Sequence, residues 1–447
     1  MRLALRGANP AEWLALRAGL VPAAAAEAWG GMATSGMLVA AVRTGITARL
    51  AEGQASAADL AADLGLDPLP TRLLLDCLRS AGHVTERAGR YRLSRSGRRW
   101  LDPASPLSVA GYVAGTGDYW PWWQGLEQTV RTGTSSGSHT ASPTDPYWRR
   151  YIGGQLELAR LSAAEVARKL PLPGRSHALL DVGGGHGWYS ASLCRRHPEL
   201  TATVLDLPGS VAIGREIIAA AGLTDRVRFR AGDVTTADLG AGYDAVLCFN
   251  LVHHLTPEQV ADLFRRAREA LKPGGTLAVL DVFADSDRRA PAHANVLALF
   301  VYLSSGAQVH TSGQLAAWLR DAGFGPARKI RILRIPGLAL QVARRSDLSP
   351  KSADGGRAGP RTGAGPPPSA VLRRPQRPPR GSLVPKTRSA RGYCSPEVPG
   401  RGAPPAPSAV PTGPADEPLA VSAPGAGGAV GRGAGQAWGA AGGGGVG

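Results

Sequence analysis

The sequence predicts an α/β protein in three parts: a mainly helical domain, a parallel sheet covered by helices on both faces, and a disordered tail. Strand and helix patterns alternate from Ala178 onward, which is typical of parallel sheets. Residues 56–101 combine two short helix patterns with one hairpin pattern. Residues 351–447 contain 22 Gly and 17 Pro among 97 residues, too many helix and strand breakers for a packed core. We therefore place domains at 1–170 and 171–346 and the tail at 347–447.

The first domain contains the element order of a winged helix. Apolar residues within 60–64 share one face of a first helix, which Gly65 ends. A leucine-rich second helix follows and stops at Gly82. The segment HVTERAGRYRLS (83–94) then predicts a hairpin that turns at Ala88 and Gly89.

A winged helix can bind DNA, and the predicted wing is basic, with arginines at 87, 90, 92, 95, 98 and 99. The second helix, which would contact the bases, is apolar and has only Arg72 and Arg79 among its leucines. This composition favours a dimerisation or substrate-lid role, so we do not expect nucleic acid as a partner. A DNA-binding regulator is the alternative.

Aromatic rings cluster in the segment DYWPWWQGL (118–126) and again at Tyr147 and Trp148. Packing between helices is the default interpretation of such a cluster. The alternative is a pocket for a flat aromatic substrate or a sulfonium, which the faces of aromatic rings attract. The apolar helix pattern at 295–306 would form another wall of that pocket.

The second domain supplies the alternating pattern. Its strand patterns lie at 178–185, 201–208, 227–234, 243–250 and 276–283, and its helix patterns at 188–197, 210–222 and 257–271. The last of these helices has a single apolar stripe and is predicted to end at the KPGG segment, 272–275. In such sheets, ligands bind beyond the carboxyl ends of the strands, where the strand order reverses.

Four glycines follow the first of these strands, in LLDVGGGHGWYS (179–190). This density of glycine indicates that the backbone approaches a ligand, and the next helix N-terminus adds a partial positive charge. A dinucleotide motif G-x-G-x-x-G starting at Gly183 would need glycine where Trp188 stands. The register that fits is D-x-G-x-G-x-G from Asp181 to Gly187, in which His186 is a filler.

That register resembles the first motif of class I S-adenosylmethionine (SAM) methyltransferases. Two later acids strengthen the resemblance: Asp206 ends the second strand, and Asp233 follows the third. The resemblance implies that Asp206 accepts hydrogen bonds from both ribose hydroxyls and that Asp233 receives the adenine amino group. It implies SAM as the cofactor, with these contacts: Asp181, Gly183, Gly185, Asp206, Leu207, Asp233, Val234 and Asn250.

Residues 25–345 resemble more closely the small-molecule O-methyltransferases, which include caffeate, flavonoid, acetylserotonin and bacterial polyketide-tailoring enzymes. The resemblance implies homodimers, an aromatic hydroxyl acceptor, His253 as the general base and Asp281, 28 residues later, as its carboxylate partner. Three residues depart from the family pattern: Asp281 replaces the usual glutamate with a shorter acid, His254 replaces an aspartate and Val309 replaces a second glutamate. Because valine cannot orient an imidazole, either the base is less well held, or His310 or another residue takes the place of the glutamate.

The departures leave a rival interpretation, in which a SAM-binding relative has lost or changed methyl transfer. The choice between O-, N- and C-methylation also stays open, since the fold serves all three.

Composition restricts other classes of protein. The cysteines, at 77, 194, 248 and 394, form no CxxC pair, so we predict neither a disulfide framework nor a metal site. No apolar run reaches 18 residues and no signal-peptide core is present, so we expect a cytoplasmic protein without a membrane partner. The tail contributes +8 of the formal charge of +17, which leaves the folded part mildly basic.

Overall fold

The computed structural model describes residues 9–135, 137, 141–284, 292–335 and 337–346. The predicted tail lies outside the described residues, so its disorder stays a prediction. Within these ranges no helix is long and apolar enough to cross a membrane.

The N-terminal region has the predicted winged-helix elements. Its helices and strands are α1 (Pro10–Arg17), α2 (Ala23–Arg43), α3 (Ile46–Glu52), β1 (Ala55–Ser56), α4 (Ala57–Leu64), α5 (Pro68–Ser80), β2 (Val84–Arg87), β3 (Arg90–Leu93) and α6 (Arg95–Trp100). The strands pair antiparallel in the order β1-β3-β2. The predicted hairpin is confirmed, and its turn residues Ala88 and Gly89 have φ angles of 51° and 73°. Ser56 forms a capping box with Asp59 that fixes the start of α4.

The second helix of the winged helix is poorly suited to phosphate contacts. Arg72 and Arg79 both lie near the carboxylate of Asp76 in the same helix, at 3.5 and 3.7 Å. Leu69 and Leu73 are more than half exposed on the same element. This arrangement favours the dimerisation or substrate-lid role over DNA binding, and both roles stay predictions.

A second helical group connects this region to the sheet. It comprises α7 (Ala110–Thr116), a 3₁₀ turn (Gly117–Tyr119), α8 (Trp120–Gln124), α9 (Leu126–Thr132) and α10 (Pro146–Lys169). The long helix α10 begins where Asp145 accepts the Tyr147 N–H at 2.7 Å, and it packs against α7. The predicted domain boundary at 170 follows the end of α10 and stays a prediction.

The remaining elements form a seven-stranded sheet and its helices. They are β4 (Ala178–Val182), α11 (Trp188–Arg196), β5 (Thr201–Asp206), α12 (Pro208–Ala220), β6 (Val227–Ala231), β7 (Tyr243–Phe249), a 3₁₀ turn (Val252–His254), α13 (Pro257–Ala270), β8 (Leu271–Val282), α14 (Ala292–Ser305), α15 (Ser312–Asp321), β9 (Arg328–Arg331) and β10 (Leu338–Arg344). The strand order is β6-β5-β4-β7-β8-β10-β9. Strands β4 to β8 are parallel, and β10 runs antiparallel to β8 and β9.

This topology confirms the predicted α/β class and fixes the position of the site. One apolar cluster packs α10 and α11 against one face of the sheet, and a second packs α13 and α15 against the other. The strand order reverses between β4 and β7, where the chain passes from one half of the sheet to the other. A crevice therefore opens at the carboxyl ends of these two strands.

One predicted boundary is wrong. The helix was expected to include Leu271 and to end at the KPGG segment, but α13 ends at Ala270 and β8 starts at Leu271. The reason is that Leu271 pairs with Tyr243 of β7, before the register shifts at an irregularity. Gly274 lies within this irregular segment and has a φ of 71°.

Candidate active site

The glycine loop between β4 and α11 brings the backbone close to a buried acid. A Cβ atom on Gly184 would lie 2.5 Å from Cγ of Asp181, so a larger residue cannot fit without displacing that carboxyl group. Gly187, with a φ of 67°, turns the chain into the first residue of α11. The glycines therefore keep Asp181 and the helix N-terminus together at one end of the crevice.

Asp181 is buried at the end of β4, and one of its oxygens is satisfied. The Ser190 hydroxyl donates to Oδ2 at 2.6 Å, while Oδ1 has no hydrogen-bond partner among the described residues. Desolvation by burial raises the pKa of this carboxyl to about 7, and the nearby charge of Asp206 adds to the rise. An orphaned carboxylate oxygen in a buried site favours a ligand that carries positive charge or a donor.

Asp206, at the end of β5, is held by two backbone amides. The N–H groups of Gly185 and Leu207 donate to its two oxygens, each at 2.7 Å. Burial raises the pKa of Asp206, although these hydrogen bonds oppose the rise. Each carboxylate oxygen has a further lone pair, so Asp206 can still accept hydrogen bonds from a ligand diol. Asp233, after β6, is exposed and accepts from the Thr235 N–H at 2.8 Å.

A cavity of about 220 Å³ brings the predicted cofactor residues together. Its wall includes every one of them: Asp181, Gly183, Gly185, Asp206, Leu207, Asp233, Val234 and Asn250. Asn250 has a left-handed backbone with a φ of 51° and donates its N–H to the Leu280 carbonyl at 2.7 Å. Such a conformation is uncommon outside glycine and is maintained here at the cavity wall.

A second cavity of about 270 Å³ lies beside the first and contains the predicted catalytic pair. Its wall is mostly aromatic and aliphatic: Tyr112, Tyr119, Trp122, Leu297, Phe300, Val301 and Leu338. Tyr119 and Trp122 stack with their ring centroids 5.2 Å apart, and Phe300 of α14 packs against both. The aromatic segment and the 295–306 helix therefore form walls of one pocket, as the alternative interpretation of the sequence proposed.

His253 and Asp281 form a buried hydrogen-bonded pair. Their Nδ1 and Oδ1 atoms are 2.7 Å apart, and the two side chains are 11% and 1% exposed. Asp281 Oδ1 also accepts the Val282 N–H at 2.7 Å, which fixes the carboxylate at the end of β8. Because the carboxylate accepts the Nδ1 proton, Nε2 of a neutral His253 has a free lone pair that can accept another.

The position aligned with the family's second glutamate contributes no hydrogen bond. Val309 is buried in a small apolar cluster with Val301 and Ala307. The next residue, His310, is 2% exposed, and its Nε2–H donates to the carbonyls of Val252 and Leu255, each at 3.1 Å. His310 thus holds the backbone on both sides of His253.

Apart from Asn250, sequence reasoning did not assign a site role to the residues where the two cavities meet. The shared wall contains Tyr151, Gln155, His186, Tyr189, Asn250 and His254. Tyr151 and Gln155 come from α10, about 30 residues before the glycine loop, and no motif spacing connects them to it. The interpretation of His186 as a filler does not account for its position, because His186 lines both cavities. Within the described residues no group of three His, Cys, Asp or Glu side chains could hold a metal.

The sheet is doubly wound, and acids lie at the ends of successive strands around one cavity. This cavity meets a second one, which contains a His–Asp pair. Together these features define a class I SAM-dependent methyltransferase. A family model described as an O-methyltransferase domain matches residues 127–325. The chain belongs to this O-methyltransferase family, and SAM is its cofactor. It is a SAM-dependent O-methyltransferase, as the sequence predicted.

Named relatives support the assignment. The chain is 31% identical over 304 residues to the 3-hydroxy-5-methyl-1-naphthoate 3-O-methyltransferase of Streptomyces sahachiroi, covering 66% of this chain and 87% of that protein. It is 32% identical over 313 residues to the tetracenomycin polyketide synthesis 8-O-methyl transferase TcmO of Streptomyces glaucescens, covering 68% and 91%. The fold matches that of human N-acetylserotonin methyltransferase, solved in complex with SAM, with a TM-score of 0.66, 21% identity and coverage of 76% and 100%.

Proposed function

We propose that this enzyme methylates a hydroxyl group of a small fused-ring aromatic or polyketide-like molecule, with His253 as the general base. The observation that carries the proposal is the buried His253–Asp281 pair, 2.7 Å apart, in an aromatic cavity that adjoins the cofactor cavity. The two relatives are named for a hydroxynaphthoate and for tetracenomycin polyketide synthesis, and a flat apolar pocket suits fused aromatic rings.

The cofactor cavity residues would hold SAM through their distinct chemistry. Asp206 would accept the ribose hydroxyls, Asp233 the adenine amino group, and Leu207 with Val234 would pack on the base. Asp181 would offer its orphaned oxygen to the positively charged end, with Asn250, Gly183 and Gly185 completing the wall. When bound, SAM supplies a methyl group that its sulfonium activates for displacement.

The protein's part in the chemistry is to orient the acceptor and to remove its proton. A phenol has a pKa of about 10, so most of the acceptor is protonated at neutral pH. As the acceptor oxygen attacks, its proton passes to Nε2 of His253, and the carboxylate of Asp281 stabilises the imidazolium that forms. The aromatic walls exclude water and hold the ring plane. General-base assistance of this kind contributes about 10² to 10⁴ in rate.

Replacement of the base tests this proposal. With 2-naphthol as the acceptor, we expect H253N to lower kcat by at least about a hundredfold while the Kd for SAM changes by less than about threefold. Higher pH should partly restore the variant, since a phenolate needs no base. H177N is the matched control, because His177 is exposed and its ring lies 3.7 Å from Glu199 on the surface. Activity of H253N within threefold of the wild type would contradict the role of His253.

We also propose that the N-terminal helices form a homodimer interface. Large apolar side chains are exposed on or beside α1 and α2: Trp13 54%, Leu14 60%, Leu20 78%, Trp29 72% and Met32 73%. A surface rich in exposed apolar side chains is typical of an interaction site. Light scattering after size exclusion should give a dimer for the wild type and a monomer for the double variant W29E/M32E. V130E is the control, since Val130 is equally exposed (74%) on α9. A wild-type monomer would refute the interface.

A further inference from the structure

His186 occupies a position that the established chemistry does not use. It lies between Gly185 and Gly187 in the glycine loop, and its side chain is 7% exposed. His186 belongs to the wall of the cofactor cavity and also to the wall of the acceptor cavity that contains His253. A polar group at this junction faces both reactants.

The hydrogen bonding of His186 fixes which of its nitrogens carries a proton. The Trp188 N–H donates to Nδ1 at 2.9 Å, so Nδ1 is an acceptor without a proton. Desolvation by burial, together with the nearby charge of Arg160, lowers the pKa of the ring to about 4, so the ring is neutral at pH 7. The single ring proton therefore resides on Nε2. Among the hydrogen bonds of the described residues His186 makes no second one, which leaves this Nε2–H to a ligand.

Other polar groups in the acceptor wall are already engaged. Nδ1 of His253 bonds Asp281, the Tyr189 hydroxyl lies 2.8 Å from that of Ser162, and the Gln155 amide bonds the Tyr119 hydroxyl. Among the described residues no hydrogen bond of the Tyr112 hydroxyl is found, so Tyr112 is a second candidate donor in this wall. Nε2 of His186 is not among the fully buried atoms that lack a partner in the described residues, so its N–H is accessible and a ligand oxygen can accept from it.

The charge state of the ring decides which ligand oxygen suits it. A carboxylate is bound best by a cationic donor, but His186 is held neutral. A neutral N–H suits a carbonyl or hydroxyl oxygen on an aromatic acceptor. We propose that His186 is a specificity-determining residue, which donates from Nε2 to a second oxygen of the acceptor beside the hydroxyl that is methylated. The enzyme would thereby select aromatic acceptors with two neighbouring oxygens. This inference rests on the proposed acceptor class.

The test compares two acceptors that differ by one oxygen, 2,3-dihydroxynaphthalene and 2-naphthol. Their Kd values are measured by calorimetry on the full-length protein saturated with S-adenosylhomocysteine, so that binding is read independently of turnover. We expect the wild type to bind the diol at least about tenfold more tightly than 2-naphthol. The same preference should appear in kcat/KM, mainly through a lower KM for the diol.

The H186N variant separates the two nitrogens of the ring. Its amide oxygen can keep the bond from the Trp188 N–H, but it has no donor at the Nε2 position. We expect the diol preference to fall to within about twofold in H186N, with the Kd for SAM changed by less than about threefold. H186Q, whose amide nitrogen reaches the Nε2 position, should keep most of the preference. Y112F, which removes the other donor, should keep all of it.

Three results would overturn the inference: no diol preference in the wild type, a preference that H186N retains, or a preference that Y112F abolishes. Equal loss of both acceptors together with weaker SAM binding would assign His186 to loop structure alone. If the protein binds the diol selectively but does not methylate it, the result counts against the proposed reaction instead. Failure of this inference and failure of the proposed function are therefore distinguishable.

Discussion

The unusual state of Asp181 leads to a prediction about how SAM binding depends on pH. Burial raises the pKa of this carboxyl to about 7, so it is largely protonated in the free protein below that pH. SAM carries a sulfonium and an ammonium group against one carboxylate, so its net positive charge favours the ionised form. Binding should therefore release a proton, and SAM affinity should rise as pH increases through about 7.

The magnitude follows from the ionised fraction. With a pKa of about 7, that fraction rises from about one tenth at pH 6.0 to about three quarters at pH 7.5. If the bound state is ionised throughout, the Kd falls about eightfold over this range, or about 1.2 kcal/mol. The range stops at pH 7.5 because the amino group of SAM itself titrates near 8.

Titration calorimetry measures both quantities. The Kd is compared at pH 6.0 and 7.5, and proton release is obtained from the difference in enthalpy between buffers of different ionisation enthalpy. D181N has no titratable group at this position and should give a Kd independent of pH. Burial also raises the pKa of Asp206, so an eightfold change that persists in D181N would assign the effect to Asp206 and refute the reasoning.

Three further predictions concern parts of the site and fold. G184A should weaken SAM binding by at least about tenfold in calorimetry, because its Cβ would lie 2.5 Å from Cγ of Asp181, whereas unchanged affinity would show that the loop can shift. H310A should lower kcat with 2-naphthol about tenfold and leave the Kd for SAM unchanged, since it frees the carbonyls beside His253, and an unaltered kcat would contradict this role. A88G should stabilise the protein by about 0.5–1 kcal/mol in denaturant unfolding, because Ala88 has a φ of 51° where glycine is unstrained, and a loss of stability would refute that estimate.

The cofactor end of the site could be predicted from the sequence because it depends on local order. Parallel strands end at one edge of a sheet, so Asp181 and Asp206, which terminate two strand patterns, had to lie close together. The 28-residue spacing of His253 and Asp281 likewise spans one helix and the next parallel strand. In each case the chain between the two residues contains one helix and the strand that follows it.

The residues that the sequence did not indicate depend on long-range packing. Gln155 and Tyr151 reach the site because α10 packs on α11 and α12, and nothing in the spacing of α10 specifies that docking. His186 occupies a variable position of a motif, and its role depends on a bond from the Trp188 N–H that spacing does not predict. The start of β8 at Leu271 was missed because strand pairing with Tyr243 overrides the helical pattern.

The strand order also separates two tasks along the edge of the sheet. The groups proposed to hold the cofactor lie at the ends of β4, β5 and β6, with Asn250 after β7, whereas the proposed base follows β7 and its carboxylate lies at the end of β8. The glycine loop lies beside the point of reversal, so His186 is the loop side chain that can contact ligands on both sides. Without a second glutamate, the orientation of His253 depends on Asp281 and on the backbone that His310 holds. Substitutions at the ends of β4, β5 and β6 should therefore change mainly the Kd for SAM, and substitutions of His253, Asp281 or His310 should change mainly kcat.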